Sequence, residues 1–227
     1  MAEKGSLMKF ALYLIGFMLV VIVASFLIPM PGQGGDPERN LPWQIEVDGQ
    51  GGSRVFGLQP GRSTLADVRA ALGGDFELAI IAQPDEIGAV EAYYSQVALG
   101  FVLARLVVTL DVAPETVKAM RERALKAERM ESATRKITLH PDDLAQLEQA
   151  RIKALTVIPT INLDEATIIQ RFGQPAERLQ VTEKRAHLLY PHLGLDVVVN
   201  SDGKELLQYV APRDFALLRE PLRAGGG

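Results

Sequence analysis

The side chains of this sequence that could carry out chemistry are few and scattered. Its three histidines are His140, His187 and His192, and no two of them have the spacing of a helical metal site. His187 and His192 lie five residues apart around Pro191, which does not place two imidazoles on one face of a helix. The sequence therefore predicts no metal site.

Nucleophile and phosphate-binding motifs are also missing from the sequence. Ser63, Ser95 and Ser201 lack the GxSxG setting of a hydrolase nucleophile. The stretches GQGG and GLQPGRST lack the GK[ST] ending of a phosphate loop. Asp142 and Asp143 are adjacent acids, but the helix dipole favours such a pair in the first turn of a helix. We therefore predict a protein that is not an enzyme and has no cofactor.

Composition narrows the possible partners. The chain has 227 residues and a net charge of −4, without the basic footprint that nucleic-acid binding needs. It has no cysteine, which excludes disulfides, thiolate metal sites and acylation on cysteine. With 48% hydrophobic residues it is able to bury a core. We expect a protein partner and no nucleic acid.

The N-terminal segment is strongly apolar. Residues 10–28 contain 19 residues without a charge, enough for a helix of roughly 28 Å that matches the hydrocarbon layer of a bilayer. The lysines before it and the acids after it follow the positive-inside rule. These features predict a transmembrane helix in the inner membrane, single-pass, with residues 1–9 cytoplasmic and the C-terminal domain periplasmic. Gly16 and Ser25 are then the candidates for helix packing in the membrane.

Two alternatives to that transmembrane helix remain open. A cleaved signal peptide has a shorter apolar region, of about 7 to 15 residues, and a small-x-small cleavage site. The best such match here, Val23 to Ser25, lies within the apolar run. The segment is also compatible with a buried helix of a soluble protein.

Beyond residue 28, the helix, strand and turn patterns of the sequence predict several separate segments. The predicted fold class is α+β, with two related helix-plus-antiparallel-sheet units behind the transmembrane helix and a helical insert between them. The insert is rich in helix-forming residues. The predicted segments are a linker at 29–42, a first unit at 43–114, the insert at 115–155, a second unit at 156–220 and a disordered tail at 221–227.

The two units share a pattern of residues. Thr64 and Asp164 can each cap a helix that ends at a glycine, Gly73 or Gly173. Strand-like stretches follow both helices, and a Ser-Asp-Gly turn at 201–203 predicts a hairpin. A shift of 100 residues aligns several positions in the same order, which favours an internal duplication. The aligned pairs are Val68 with Ile168, Leu72 with Phe172, Gly73 with Gly173 and Glu77 with Glu177.

A helix of the form DVxxxLG followed by antiparallel strands resembles the small outer-membrane assembly lipoproteins, the BamE-like or SmpA/OmlA family. The fold of that family is similar to one repeat of the β-lactamase inhibitor protein. The resemblance implies a helix layer on a sheet, a place in the cell envelope and protein binding. Family members are acylated on a cysteine, which this chain lacks. The matching residues are Gly61, Thr64, Asp67, Val68, Leu72 and Gly73, with Asp164, Ile168, Phe172, Gly173 and Pro175 in the second unit.

Together these observations predict a membrane-anchored, periplasmic, non-catalytic adaptor of an envelope assembly or transport complex. Its partners would be the inner membrane, through residues 10–28, and a protein that docks on uncovered sheet faces. The candidate partner-binding residues are Tyr93, Tyr94 and Tyr190, unless these tyrosines fill the core. Three alternatives stay open: a lipid-binding module with an elongated apolar cavity, an anchored enzyme with an unrecognised site, and an accessory subunit held through its span.

Overall fold

The computed structural model describes residues 39–130 and 134–224. Most of these residues build one antiparallel sheet and the helices that pack on it. The strands are β1 (Glu46–Val47), β2 (Ser53–Arg54), β3 (Glu77–Ala82), β4 (Ala89–Leu99), β5 (Val102–Leu110), β6 (Lys126–Arg129), β7 (Arg135–Thr138), β8 (Ile152–Pro159), β9 (Glu177–Thr182), β10 (Arg185–Tyr190), β11 (Leu195–Asn200) and β12 (Leu206–Tyr209). The helices are α1 (Leu65–Leu72), α2 (Pro114–Glu122), α3 (Pro141–Leu147), α4 (Glu165–Phe172) and α5 (Ala216–Ala224).

Ten strands form the large sheet in the order β6-β7-β3-β4-β5-β8-β12-β11-β10-β9, while β1 and β2 pair separately. In the first half the chain approaches the centre of the sheet through β3, β4, β5 and β8, with β7 and β6 lying outside β3. In the second half it approaches the centre from the opposite edge through β9, β10, β11 and β12. The halves meet where β8 pairs with β12, with Leu207 opposite Val157.

Helices α1 to α4 contribute buried residues to the core on one face of the sheet. Leu65 of α1, Met120 of α2 and Ile168 of α4 are each no more than 1% exposed and belong to the same hydrophobic cluster as the inward strand residues. Strand side chains alternate between the two faces, so every second residue enters this core. The strand residues of the core include Val90, Ala92, Tyr94, Leu106, Val108, Leu155, Val157, Leu188 and Tyr190.

The predicted fold class is wrong. The sequence predicted two separate helix-plus-sheet units behind a transmembrane helix, whereas the described residues form a mixed α/β fold around one continuous ten-stranded sheet. The predicted boundary at residue 156 falls within β8, which pairs with β5 on one side and β12 on the other. The main-chain hydrogen bonds of the sheet therefore cross the position where the units were divided.

The predicted single-pass localisation in the inner membrane is also corrected. Within 39–130 and 134–224, no helix combines the length and the apolar character needed to cross a bilayer. The predicted span at residues 10–28, with Gly16 and Ser25, lies outside the described residues. The described part of the chain therefore gives no support to the predicted transmembrane helix or to the localisation that depended on it.

The helical insert is only partly helical. Helix α2 ends at Glu122, and the chain then forms the edge strand β6 and its neighbour β7. Ile137 of β7 lies opposite Ile80 of β3, so the sheet supplies pairing partners that outweigh the helix propensity of this segment. At the other end of the chain, α5 extends to Ala224, into the segment predicted as a disordered tail.

The capped helices of the two halves are confirmed. The Thr64 side chain accepts a hydrogen bond from the Asp67 amide, and the Asp67 carboxylate accepts one from the Thr64 amide at 2.7 Å, which together make a capping box. Asp164 accepts a hydrogen bond from the Thr167 amide at 2.7 Å. The predicted hairpin around 201–203 is confirmed as well, in the pairing of β11 with β12.

A tyrosine fastens each of these helices to the sheet in the same way. The Tyr94 hydroxyl of β4 donates to the carbonyl oxygen of Gly73 at 2.7 Å, and the Tyr190 hydroxyl of β10 donates to that of Gly173 at 3.0 Å. Both carbonyls stand at helix ends, where the backbone lacks helical partners. An aromatic ring packs on each tyrosine, Phe76 on Tyr94 and Phe172 on Tyr190. The two halves thus share an attachment that agrees with the duplication expected from the sequence.

Replacing either tyrosine with phenylalanine is expected to destabilise the protein by a similar amount. Each change, Tyr94→Phe or Tyr190→Phe, removes one partly buried hydrogen bond and leaves a glycine carbonyl without its donor, a loss of about 1 kcal/mol. Urea unfolding monitored by circular dichroism measures the loss. Tyr93→Phe is the control, because the Tyr93 side chain is 37% exposed on the opposite face. A loss confined to one of the two variants would contradict the shared role.

Candidate binding surface

The central part of the sheet has one face that helices α1 to α4 leave uncovered. On β4 the alternation places Glu91 and Tyr93 on this face, because Val90, Ala92 and Tyr94 point into the core. The strand register continues the surface onto β5 and β8. We call it the open face and define it by Glu91, Tyr93, Leu103, Arg105, Val107, Thr109, Thr156 and Ile158.

The open face carries apolar groups that solvent reaches. Leu103 is 44% exposed and Tyr93 is 37% exposed, while Val107 and Ile158 are half-buried. Tyr93 lies directly opposite Val107, and Arg105 lies opposite Ile158. Large apolar side chains grouped on one strand surface are typical of protein-binding sites. A flat, mixed surface of this kind suits a protein better than a small molecule, which needs a concave pocket.

Charges on the open face are sparse. Glu91 lies on β4 between Ala79 of β3 and Thr109 of β5. Burial raises the pKa of the Glu91 carboxyl. Arg105 is exposed on β5. Tyrosine and arginine are enriched in protein interfaces, and a partially desolvated carboxylate gains from a cation that a partner supplies. The open face thus offers both an apolar contact area and groups that confer orientation.

The three candidate tyrosines do not lie together. Tyr94 and Tyr190 are 1% and 0% exposed, and their hydroxyls are engaged by the glycine carbonyls at the helix ends. Burial raises the pKa of each hydroxyl to about 12. Both side chains are core residues that a docking partner cannot reach. Tyr93 alone of the three is on the open face and remains a candidate.

The histidines give no sign of a reactive site. The Nδ1 atom of His187 lies 2.7 Å from the Asp196 carboxylate, but these side chains are only 7% and 1% exposed. A substrate has no access to such a pair. His192 is exposed in a short 3-10 helix, and His140 caps α3 by accepting from the Asp142 amide. The described residues contain no cluster of three histidine or acidic side chains suited to a metal ion.

The acidic pair at the start of α3 divides into two roles. Asp143 is fully buried and accepts hydrogen bonds from the Arg123 guanidinium and from Gln146 at 2.9 Å. This ion pair holds α3 against the end of α2. Asp142 is exposed, so the two carboxylates do not face a common site. The two acids that the sequence attributed to the helix dipole therefore have a structural role.

Sequence reasoning missed most of the open face. Leu103, Arg105, Val107 and Thr109 alternate with the buried residues of β5, and this period of two was visible in the sequence. The pattern separates the two faces of a strand, but it does not show which face the helices cover. Locating the open face required the packing of α1 to α4.

Comparison of the chain with protein-family models, with curated proteins and with solved structures found no match. The resemblance to the BamE-like family therefore stays an expectation drawn from the sequence.

Proposed function

We propose that this chain is a non-catalytic adaptor that binds a protein partner through the open face. The observation that carries the proposal is the uncovered central part of a ten-stranded sheet, where Tyr93 and Leu103 expose apolar surface beside Arg105. Tyrosine and arginine are the side chains most often found among the strongest contacts of an interface. The sheet holds these groups on a rigid platform, which lowers the entropy lost on binding.

The alternatives have less support in the described residues. A lipid-binding module requires an elongated apolar cavity between helices and sheet. That layer instead contains Leu106, Met120 and Leu155, all 0% exposed, in one continuous hydrophobic cluster. An enzyme requires an accessible reactive group, whereas the His187–Asp196 pair is buried. Docking of a protein uses the surface that the fold leaves free.

Site-specific photocrosslinking of the full-length chain tests the proposal. A photoreactive residue placed at Tyr93 is expected to join the chain to one discrete protein in the cells that make it. The same residue at Lys118, an exposed position of α2 in the helix layer, is the control and should give no such product. Equal crosslinking from both positions, or none from Tyr93, would count against the open face as the docking site.

Substitution of the open face then tests the contact itself. Tyr93→Ala and Leu103→Glu are each expected to weaken binding of the crosslinked protein at least tenfold, corresponding to about 1.4 kcal/mol or more. Lys118→Glu should leave the affinity unchanged. Calorimetry with the two purified proteins measures these affinities. Unchanged binding by both open-face variants would show that the partner docks elsewhere.

A further inference from the structure

Helix α5 lies on the other side of the sheet from α1 to α4. Leu218 and Leu222 of α5 pack with Leu189 of β10 and Leu179 of β9 in a hydrophobic cluster separate from the main core. His187 and Leu189 are two residues apart on β10, so they share a face, and it is opposite to the face of the core residues Leu188 and Tyr190. Helix α5 therefore lies on the same side of the sheet as the open face.

The surface beneath α5 has its own chemistry. Its floor is apolar, formed by Ala154, Leu179, Leu189 and Val210, and Phe215 at the start of the helix completes the cluster. Its outer edge is acidic, because Glu177 of β9 accepts a hydrogen bond from the Arg219 guanidinium at 2.5 Å. Arg223, one turn further along α5, lies 3.9 Å from the same carboxylate. We call this surface the α5 groove and define it by Ala154, Glu177, Leu179, Leu189 and Val210.

The fit between α5 and the groove is incomplete. One oxygen of Asp196, which is 1% exposed, and the Nε atom of Arg219 are buried without a hydrogen-bond partner in the described part of the chain. Burial raises the pKa of the Asp196 carboxyl, and the hydrogen bond from His187 only partly opposes this. Unpaired buried polar atoms weaken an interface.

Helix α5 itself is loosely embedded. None of its side chains from Ala216 to Arg223 is fully buried, and Leu217 is 47% exposed. Pro221 stands inside the helix, where it lacks a backbone donor and interrupts the hydrogen-bond ladder. The helix follows the last strand, so its departure breaks no strand pairing of the sheet. Shallow burial and a terminal position together give a low free energy of local opening.

We propose that α5 is a displaceable occupant of a second binding site, the α5 groove, and that the partner of this groove is an amphipathic helix with the α5 pattern. That pattern is two leucines four residues apart, with an arginine directly after the first, as in Leu218, Arg219 and Leu222. The leucines fill the apolar floor and the arginine meets Glu177. This site is distinct from the open face, so it stands or falls independently of the adaptor proposal.

A labelled peptide of residues 212–224, titrated into the full-length chain and followed by fluorescence anisotropy, tests the groove. In the wild-type chain α5 competes, so the apparent affinity is reduced by the fraction of molecules in which the groove is open. The double change Leu218→Asp with Leu222→Asp detaches α5 and is expected to raise the affinity for the peptide at least tenfold. Leu217→Asp, on the exposed side of the same helix, is the matched control and should leave it unchanged.

Charge reversal then identifies the arginine contact. Glu177→Lys in the double variant should lower peptide affinity at least fivefold, and a peptide carrying Arg219→Glu should recover most of that loss. A folded double variant that binds the peptide no more tightly than the wild type would overturn the proposal. So would binding that is indifferent to both charge changes.

Hydrogen exchange of the wild-type chain keeps the test decisive if the double variant does not fold. The amides of α5 are expected to exchange at least tenfold faster than those of β10 and β11, and excess unlabelled peptide should change the exchange of α5 and β9 only. Exchange of α5 at the rate of the sheet core would show that the helix is an integral part of the fold. That result would overturn the proposal without any variant.

Discussion

Replacing Gly194 with alanine is expected to destabilise the protein by about 3–5 kcal/mol, the range of the most damaging single substitutions. Gly194 ends the 3-10 helix between β10 and β11 with φ 70° and ψ 31°, in the left-handed region. A β-carbon added there would lie 2.1 Å from the carbonyl oxygen of Val210 and 3.0 Å from the backbone nitrogen of Pro212. Because these are backbone atoms, no side-chain rotation relieves the contact.

The damage would extend beyond one turn. The amide of Val210 donates to the carbonyl of Gly194 at 2.9 Å, so moving either segment breaks the hydrogen bond that links the β10–β11 turn to the end of β12. Left-handed backbone alone costs alanine about 1–2 kcal/mol, and the backbone collision adds to that. Gly194 is thus required both for its conformation and for the space that it leaves.

Gly49→Ala is the matched control for this substitution. Gly49 has φ 69°, close to that of Gly194, but an added β-carbon there would meet no atom within 4 Å. The control therefore carries the conformational cost without the collision, about 1–2 kcal/mol. Urea unfolding of both variants gives the two losses. Equal losses would show that the approach of Val210 to Gly194 is unimportant.

A marked loss of stability between pH 10 and pH 12 is the second large effect that we expect. Burial raises the pKa of Tyr94 and of Tyr190 to about 12, and it also raises the pKa of the fully buried Tyr209 well above its ordinary value. In the unfolded chain a tyrosine hydroxyl titrates near its ordinary pKa of about 10. Over this interval the unfolded chain loses protons that the folded protein retains.

The sign of the effect follows from proton linkage. Stability falls with rising pH wherever the folded state binds more protons, so the contribution of each tyrosine is constant below about pH 10 and is lost as the pH approaches 12. A separation of about two pKa units corresponds to a loss on the order of 2 kcal/mol for each of Tyr94 and Tyr190. Several kcal/mol is a large part of the stability of an ordinary domain.

Phenylalanine variants isolate this contribution. At pH 8 Tyr94→Phe should be less stable than the wild type by about 1 kcal/mol, because it lacks the hydrogen bond to Gly73. Above pH 10 the wild type loses stability by the linkage of Tyr94 and the variant does not, so the difference should close and then reverse. Urea unfolding at intervals from pH 8 to pH 12 measures it. A constant difference across that range would contradict the raised pKa.

The open face and the α5 groove lie on the same side of one sheet, and their occupancy differs. Over the central strands Tyr93 and Leu103 remain exposed, whereas over β9 and β10 helix α5 covers Leu179 and Leu189. Release of α5 would therefore extend the uncovered surface across the sheet. The two surfaces adjoin on β8, because Ala154 of the groove and Thr156 of the open face both lie on that strand.

Interactions between residues close together in the chain made several elements predictable from the sequence alone. Helices α1 and α4 begin directly after Thr64 and Asp164 because those side chains accept hydrogen bonds from backbone amides three residues further along the chain. The β11–β12 hairpin was equally predictable from its turn residues. In each case the residues that decide the conformation are close together in the chain, so their order carries the required information.

Long-range pairing decided the architecture. The joining of both halves depends on Val157 of β8 meeting Leu207 of β12, and strand β7 joins the sheet where Ile137 meets Ile80 of β3. Every strand offers the same backbone donors and acceptors, so its sequence does not specify which distant strand it will pair with. The fold class predicted from the sequence was wrong for this reason.

The candidate site shows the same division between the sequence and the tertiary structure. Alternation along β4 required Tyr93 and Tyr94 to point to opposite faces, and that could be predicted from the sequence. Packing of the helices alone decided that Tyr94 enters the core while Tyr93 meets solvent, and the return of α5 to the opposite face decided which strands stay uncovered. A two-residue period defines two faces, but only the elements that cover one of them determine which face is left to bind a partner.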